Sequence, residues 1–269
     1  MQLGISTYSF PWSFGVKDNP PAIPYNYKDL LLIACEKGVR NVQFGDNYPL
    51  HELTKEQLAD LKQTAEQSKL NVELGTKGLT VSNVTKYLEI ALMLNAGFLR
   101  IVIDETIYRP SKEQVIQTVN QLLPAIRQAK VQLIIENHDR FSSQTLIEII
   151  KSTDPTLVGI CLDTANSLGA GEGIHEVVKV LGPYAVNLHV KDFVINRVET
   201  NMGFTVRGCA AGEGMLDIPW LLREMSQFNR CKTATLELWP GQEETLEATI
   251  NQERMWADKS INYLKNLIQ

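Results

Sequence analysis

The chain lacks most features that would announce a specialised environment. Its four cysteines, Cys35, Cys161, Cys209 and Cys231, lie far apart without paired spacing, which argues against a disulfide framework or a paired-cysteine zinc motif. Cys35 and Cys161 fall inside apolar runs, where a reduced, buried thiol is expected. No uninterrupted apolar stretch approaches membrane-spanning length. The opening MQLGISTYSF has neither the basic head nor the long apolar core of a secretory signal. Basic runs are absent too: 26 Lys and Arg against 31 Asp and Glu give a net charge of −5, which disfavours a nucleic-acid-binding face. There is no Walker loop, GxSxG elbow or catalytic Cys–His signature. These absences predict a cytoplasmic protein with no nucleic-acid or membrane partner, acting on a small molecule.

What is present is an ordinary core, with 44% hydrophobic and 21% charged residues, arranged in βα alternation. Strand-like segments LGIST, VRNVQF, NVELG, FLRIVID, VQLIIE, VGICLD, AVNLHV and TATLEL alternate with helix-like segments. Thr54 with Gln57 three positions on reads as a capping box, Ser111 as a helix opener, and Pro219 as a first-turn proline. Gly38 and Gly97 read as helix ends. Eight strands and eight helices predict an α/β fold, a (β/α)8 barrel in one domain over residues 1–269. The rival open doubly wound sheet lacks its Gly-rich fingerprint after the first strand, and GAGEG at 169–173 has the wrong spacing. Two long connections, Tyr8 to about Tyr27 and Asp192 to about Asp217, read as lids or binding loops.

The informative residues stand at the ends of strands five to eight. Glu136 closes VQLIIE, Asp163 closes VGICLD, His189 sits in AVNLHV and Glu237 in TATLEL. Adjacent parallel strands lie about 4.8 Å apart, so these side chains can converge at the C-terminal face, where barrel sites are built. Three carboxylates and an imidazole without a cation would repel or stay unsatisfied. The donor set suits one divalent metal ion, Mn²⁺, Mg²⁺ or Co²⁺ in six-coordination, and Zn²⁺ also fits. His138, Asn166, Lys191 and Arg207 are candidate substrate-binding residues, with Lys191 and Arg207 suited to a carboxylate, phosphate or enolate oxygen. Asp192 could hold His189 or Lys191 in place, and Glu213 could bond a substrate hydroxyl. Tyr8, Phe10 and Trp12 could wall a pocket. His51 and His175 fit the site less well. The terminal helix reads as barrel packing and could also serve a homo-oligomer interface.

IIENH at 134–138, LDTAN at 162–166, HVKD at 189–192, the GEG–LD–PW segment at 212–220 and LELW at 236–239 resemble the xylose-isomerase-like TIM-barrel superfamily of sugar phosphate isomerases and epimerases. The resemblance spans essentially the whole barrel. It implies that Glu136, Asp163, His189 and Glu237 bind one metal and that Glu136 and Glu237 exchange protons with a keto-sugar. The leading expectation is therefore a divalent-metal-dependent isomerase or epimerase of a small keto-sugar or related polyol. It would act through a metal-stabilised enediolate with glutamate acid–base chemistry. One departure matters. Where epimerases of the family commonly carry a histidine three residues after the sixth-strand aspartate, this chain has Asn166, which cannot carry a proton. With Lys191 and Arg207 nearby, that change favours an alternative: a metal-dependent decarboxylase of a 3-keto sugar acid, or a dehydratase, using the same enolate. The segment from MGF to LD also resembles the 3-oxo-isoapionate decarboxylase branch. DNA-repair endonucleases share the barrel but need a three-metal cluster that four histidines cannot readily furnish. A non-catalytic sugar-binding barrel is a further alternative, which keeping all four ligands disfavours.

Overall fold

The computed structural model describes residues 1–16 and 19–268. Eight parallel strands close into a barrel: β1 (Gln2–Ser6), β2 (Asn41–Phe44), β3 (Asn71–Lys77), β4 (Phe98–Val102), β5 (Gln132–Glu136), β6 (Val158–Asp163), β7 (Ala185–Val190) and a last strand, Thr233–Leu236, which pairs with both β7 and β1. Around them run α1 (Pro11–Phe14), α2 (Tyr27–Lys37), α3 (Lys55–Gln67), α4 (Val81–Leu94), α5 (Lys112–Ala129), α6 (Ser143–Lys151), α7 (Ile174–Leu181), α8 (Ile218–Gln227) and α9 (Leu246–Leu267). An antiparallel hairpin, β8 (Phe193–Arg197) and β9 (Phe204–Gly208), lies within the long connection after β7, so the closing barrel strand is β10. The sequence reading gave that connection no strands, because its alternation is interrupted by a polar VETNMG turn. Among the described residues no helix is long and apolar enough to cross a membrane.

Local chemistry sets the helix boundaries. Thr54 and Gln57 form the expected capping box, as do Ser111 and Gln114, and Pro219 occupies the first turn of α8. One boundary differs: α4 stops at Leu94 because Asn95 adopts the left-handed conformation, two residues before Gly97. Cys35 is exposed rather than buried. In α2 the helical period turns Leu30, Leu31 and Ala34 inward and leaves Leu32 and Cys35 facing out.

Strand alternation divides each barrel strand between two environments. Val42, Leu74, Leu99, Leu133, Ile135, Ile160, Leu162, Leu188, Ala234 and Leu236 join the large apolar cluster that packs the helices. The alternate residues are buried and mostly polar: Asn41, Gln43, Glu73, Arg100, Glu136, Asp163, Asn187, His189, Thr233 and Thr235. A small apolar group, Phe98, Ile134, Cys161 and Val186, forms a separate cluster. Barrel interiors are ordinarily filled by branched apolar residues. Here hydrogen bonds cross from β2 to β7, and that requires every buried group to find a partner.

The two ends of the chain are tied together through Glu253 on α9. Its carboxylate accepts from Trp12 N at 2.6 Å, Ser13 N at 3.0 Å and Ser13 Oγ at 2.6 Å. Burial pushes its pKa up to about 7, against those hydrogen bonds, from an ordinary value of 4.5. Between the two values the folded chain keeps a proton that the unfolded chain has released. This contribution to stability is therefore present below about pH 4.5 and is lost as pH rises through about 7. In thermal melts across that window, Glu253→Gln is expected to flatten this part of the pH profile. It should also lower stability by about 1–3 kcal/mol, because an amide NH₂ would confront a backbone N–H.

Candidate active site

Strand register brings the four strand-end residues into one cluster. Asp163 pairs with His189 across β6 and β7, Glu136 pairs with Cys161 across β5 and β6, and Glu237 follows the last residue of β10. His189 Nδ1 lies 3.3 Å from Glu237 Oε1 and 3.8 Å from both Glu136 Oε1 and Asp163 Oδ2. All four side chains are buried, His189 and Asp163 completely. The ligand atoms of Asp163, His189 and Glu237 lie within 4.8 Å of one another. Donors spaced about 2.0–2.6 Å from a common ion stand roughly that far apart. Among the described residues, Glu136 Oε2, Asp163 Oδ2 and His189 Nδ1 are buried without a hydrogen-bond partner. Orphaned acceptors of this kind are costly unless something else satisfies them, and a divalent cation fits the set. A second group of this kind joins Glu136 and Cys161 to His189. Burial drives that thiol well above its ordinary value, so a thiolate there is disfavoured, and Cys161 Sγ already faces Asn187 Oδ1.

Two cations are built into the cluster. Lys191 Nζ lies 2.8 Å from Asp163 Oδ2 and 2.9 Å from Glu237 Oε2. Burial opposes its charge, but Asp163 and then Glu237 hold the ammonium well above the ordinary lysine value. Arg100, 1% exposed, sets Nε 3.2 Å from Glu136 Oε2 and Nη1 3.1 Å from Asp46 Oδ1. The Nε contact is an ion pair without hydrogen-bond alignment. Burial alone would raise the Glu136 carboxyl; Arg100 and then His189 outweigh it and hold it well below the usual carboxylate range. Two glycines make room for this arginine. A Cβ on Gly75 would stand 2.7 Å from Arg100 Nε, and one on Gly45 would stand 2.8 Å from the Tyr8 ring and 3.1 Å from Arg100 Nη2.

Above the cluster opens a cavity of about 400 Å³, lined by Tyr8, Lys77, Arg100, Asp104, Glu136, His138, Lys191 and Glu237 among others. Asn166 donates from Nδ2 to Glu136 Oε1 at 2.9 Å, so it touches a strand-end carboxylate directly. His138 lines the cavity rim, exposed and paired with Asp139 at 2.8 Å. Arg207 is not brought to this mouth. It sits exposed on β9 and lines a different depression with Cys209, Trp239 and Trp256. Asp192 holds neither His189 nor Lys191. Its carboxylate accepts from the backbone N–H groups of Phe193, Gly212, Gly214 and Leu216, folding the loop after the hairpin. Glu213 faces outward to Lys259. Tyr8 does wall the cavity, bonding Asp46 through its hydroxyl at 3.2 Å, whereas Trp12 Nε1 donates to Pro240 O and Phe10 is buried packing. His51 bonds Tyr87, and His175 stacks on Trp220.

Sequence reading missed Arg100, Asp46, Gln43 and Glu73. A signal existed for three of them: a charged or amide residue alternating with apolar ones in FLRIV, NVQF and NVELG. Removing one partner from a buried ion pair is costlier than the pair is worth. Arg100→Met is therefore expected to lower stability by about 3–5 kcal/mol in denaturant unfolding. Gly75→Ala should lose about 1–3 kcal/mol through overpacking against the guanidinium.

Comparison with known proteins agrees with this architecture. The family model described as "Xylose isomerase-like TIM barrel" matches residues 34–267. A 3-oxo-isoapionate decarboxylase of Pectobacterium atrosepticum is 31% identical over 264 residues, covering 98% of this chain and 95% of that protein. Among solved structures, D-psicose 3-epimerase from Clostridium cellulolyticum H10 with D-tagatose superposes with a TM-score of 0.76 at 14% identity, covering 100% of both chains. A xylose isomerase-like TIM-barrel protein from Mycobacterium smegmatis in complex with magnesium superposes with a TM-score of 0.71 at 12% identity, covering 98% and 97%. At those identities the two structures speak to fold alone. The closed eight-stranded barrel, the family match across most of its length and the 31% identical relative make this chain a member of the xylose isomerase-like TIM-barrel family.

Proposed function

We propose that this protein is a divalent-cation-dependent decarboxylase of a small 3-keto sugar acid, with Glu136, Asp163, His189 and Glu237 holding the cation. When bound, the cation supplies Lewis-acid polarisation of the substrate's ketone. The observation that carries the reading is how the two glutamates are engaged. Glu136 Oε1 accepts from Asn166 at 2.9 Å, its Oε2 is ion-paired with Arg100 at 3.2 Å without a hydrogen bond, and Glu237 is ion-paired with Lys191 at 2.9 Å. A pair of glutamates trading protons across a sugar carbon needs free, basic carboxylates. This pair is clamped by cations, which favours decarboxylation over the isomerase or epimerase reading. The 31% identical decarboxylase supports the same choice.

Decarboxylation asks for charge stabilisation rather than a base. The bond between the carboxylate carbon and the carbon beside the ketone breaks, and CO₂ leaves. The electron pair passes to the ketone oxygen as an enolate, and the carbon then takes up one proton. Lys191, fixed at the cavity wall by two carboxylates, is placed to hold an oxyanion without reorganising. Lys191 and the Tyr8 hydroxyl are proton-bearing groups facing the cavity from which the carbon can be reprotonated. A volume of about 400 Å³, near the low end for small-molecule sites, suits a single small sugar acid.

With a panel of 3-keto sugar acids and keto-sugars, the expected outcome is CO₂ release matched by a one-carbon-shorter ketose and abolished by chelator. Solvent deuterium entering a keto-sugar without loss of mass would point to the isomerase or epimerase instead. Lys191→Met should reduce kcat/KM by about 10²–10³-fold, the scale of losing one preorganised oxyanion partner. Arg207→Met, on the remote hairpin, should leave it unchanged.

A further inference from the structure

The polar barrel interior beneath the candidate cation site has a direction. Gln43 Oε1 lies 2.7 Å from His189 Nε2, while Gln43 Nε2 lies 3.1 Å from Glu73 Oε2 and 3.2 Å from Asn187 Oδ1. Asn187 is itself held: its Nδ2 lies 2.8 Å from Thr233 Oγ1 and 3.1 Å from Thr235 Oγ1, and Cys161 Sγ faces its Oδ1 at 3.3 Å. Gln43, Asn187 and His189 are fully buried, and Glu73 is 6% exposed.

A primary amide has one donor end and one acceptor end. Glu73 and Asn187 both present oxygens to Gln43, and a carboxyl keeps an accepting oxygen in either protonation state. The donor end of Gln43 therefore faces them, and its acceptor end faces His189. The imidazole nitrogen against that oxygen must carry a hydrogen. If the amide turned over, two oxygens would lose their donor, and His189 Nε2 would need a lone pair. The hydrogen would then shift to Nδ1, which points at Glu237, Glu136 and Asp163. An N–H there donates to a carboxylate and cannot bind a metal.

We propose that Gln43 is a positioning residue that fixes the ring of His189 with hydrogen on Nε2 and Nδ1 aimed into the carboxylate cluster. Glu73 and Asn187 keep its amide from turning over. This rests on the cation reading above. A ligating histidine is commonly oriented through its other nitrogen, and losing that partner typically costs 10–100-fold in metal affinity.

The test uses the full chain, stripped with chelator and titrated calorimetrically with Mn²⁺ alone. Gln43→Leu is expected to weaken Mn²⁺ binding about 10–100-fold while the metal-free protein still unfolds cooperatively. The exchange variant Gln43→Glu with Glu73→Gln reverses the two chemistries. The introduced carboxylate accepts from His189, the introduced amide donates to it, and Asn187 Oδ1, losing the Gln43 donor, keeps Cys161 Sγ. That double variant should recover affinity to within about threefold of wild type, which a merely space-filling role would not predict. On metal-free protein labelled with ¹⁵N-histidine, a slowly exchanging Nε2–H signal should be present in wild type and missing in Gln43→Leu. Wild-type Mn²⁺ affinity in Gln43→Leu, or no recovery in a folded exchange variant, would overturn the proposal. If wild type takes up no Mn²⁺ yet shows the Nε2–H signal that Gln43→Leu loses, the cation reading falls and the orientation of His189 by Gln43 stands.

Discussion

Burying three carboxylates around one imidazole is the constraint on which the rest of this structure depends. Glu136, Asp163 and Glu237 converge on His189 Nδ1 at 3.3–3.8 Å, in a volume from which bulk water is largely excluded. An uncompensated buried carboxylate is costly enough that the chain must supply opposite charge or shed the ionised state. It supplies charge twice, through Arg100 against Glu136 and through Lys191 against Asp163 and Glu237. Three carboxylates and two cations still leave one formal negative charge, and His189 Nδ1 at the centre has no hydrogen-bond partner. That residual is what a divalent cation would satisfy, so the same electrostatics explain both the fold's buried cations and the donor set they surround.

Consequences of this constraint reach well below the site. A guanidinium inside a barrel needs space that strands do not normally leave, and Gly45 and Gly75 provide it. An imidazole buried beside three carboxylates needs a partner for its far nitrogen, and Gln43 meets it. Gln43 in turn needs Glu73 and Asn187, and Asn187 needs the threonines of β10. The interior of this barrel is polar because each group buried to serve the mouth demands another to satisfy it. A partly satisfied network of this kind would be worse than an apolar filling.

The sequence made the barrel legible because period-2 and period-3.6 patterns are local, and they survive without knowledge of the partner strand. The strand-end cluster was legible for a related reason: a charge terminating an apolar strand is conspicuous in one dimension. Arg100, Gln43 and Glu73 lie inside their strands, where alternation alone does not say which face is lumen and which is helix layer. Arg207 shows the opposite failure. It is near Lys191 in the chain, but the hairpin of β8 and β9 carries it to another surface. Asp192 beside Lys191 was legible as polar, yet its four backbone partners arise only once the loop folds around it. Long connections hide their geometry because loop closure depends on contacts far away in sequence.

The residues that would distinguish one chemistry from another on this scaffold are therefore those that neutralise the candidate donors, more than the donors themselves. Glu136, Asp163, His189 and Glu237 form a donor set compatible with any reaction that accumulates charge on a ketone oxygen. Asn166 and Arg100 decide what Glu136 can do, since a carboxylate that accepts from an amide and is ion-paired with a guanidinium has little basicity left to offer. Lys191 decides what Glu237 can do in the same way, while adding a fixed positive charge on the cavity side. An imidazole in place of Asn166 would give Glu136 a partner able to exchange protons; the amide gives it one that can only hold it still. On the decarboxylase proposal, this arrangement serves less to move protons between two bases than to stabilise an anion generated by loss of a group.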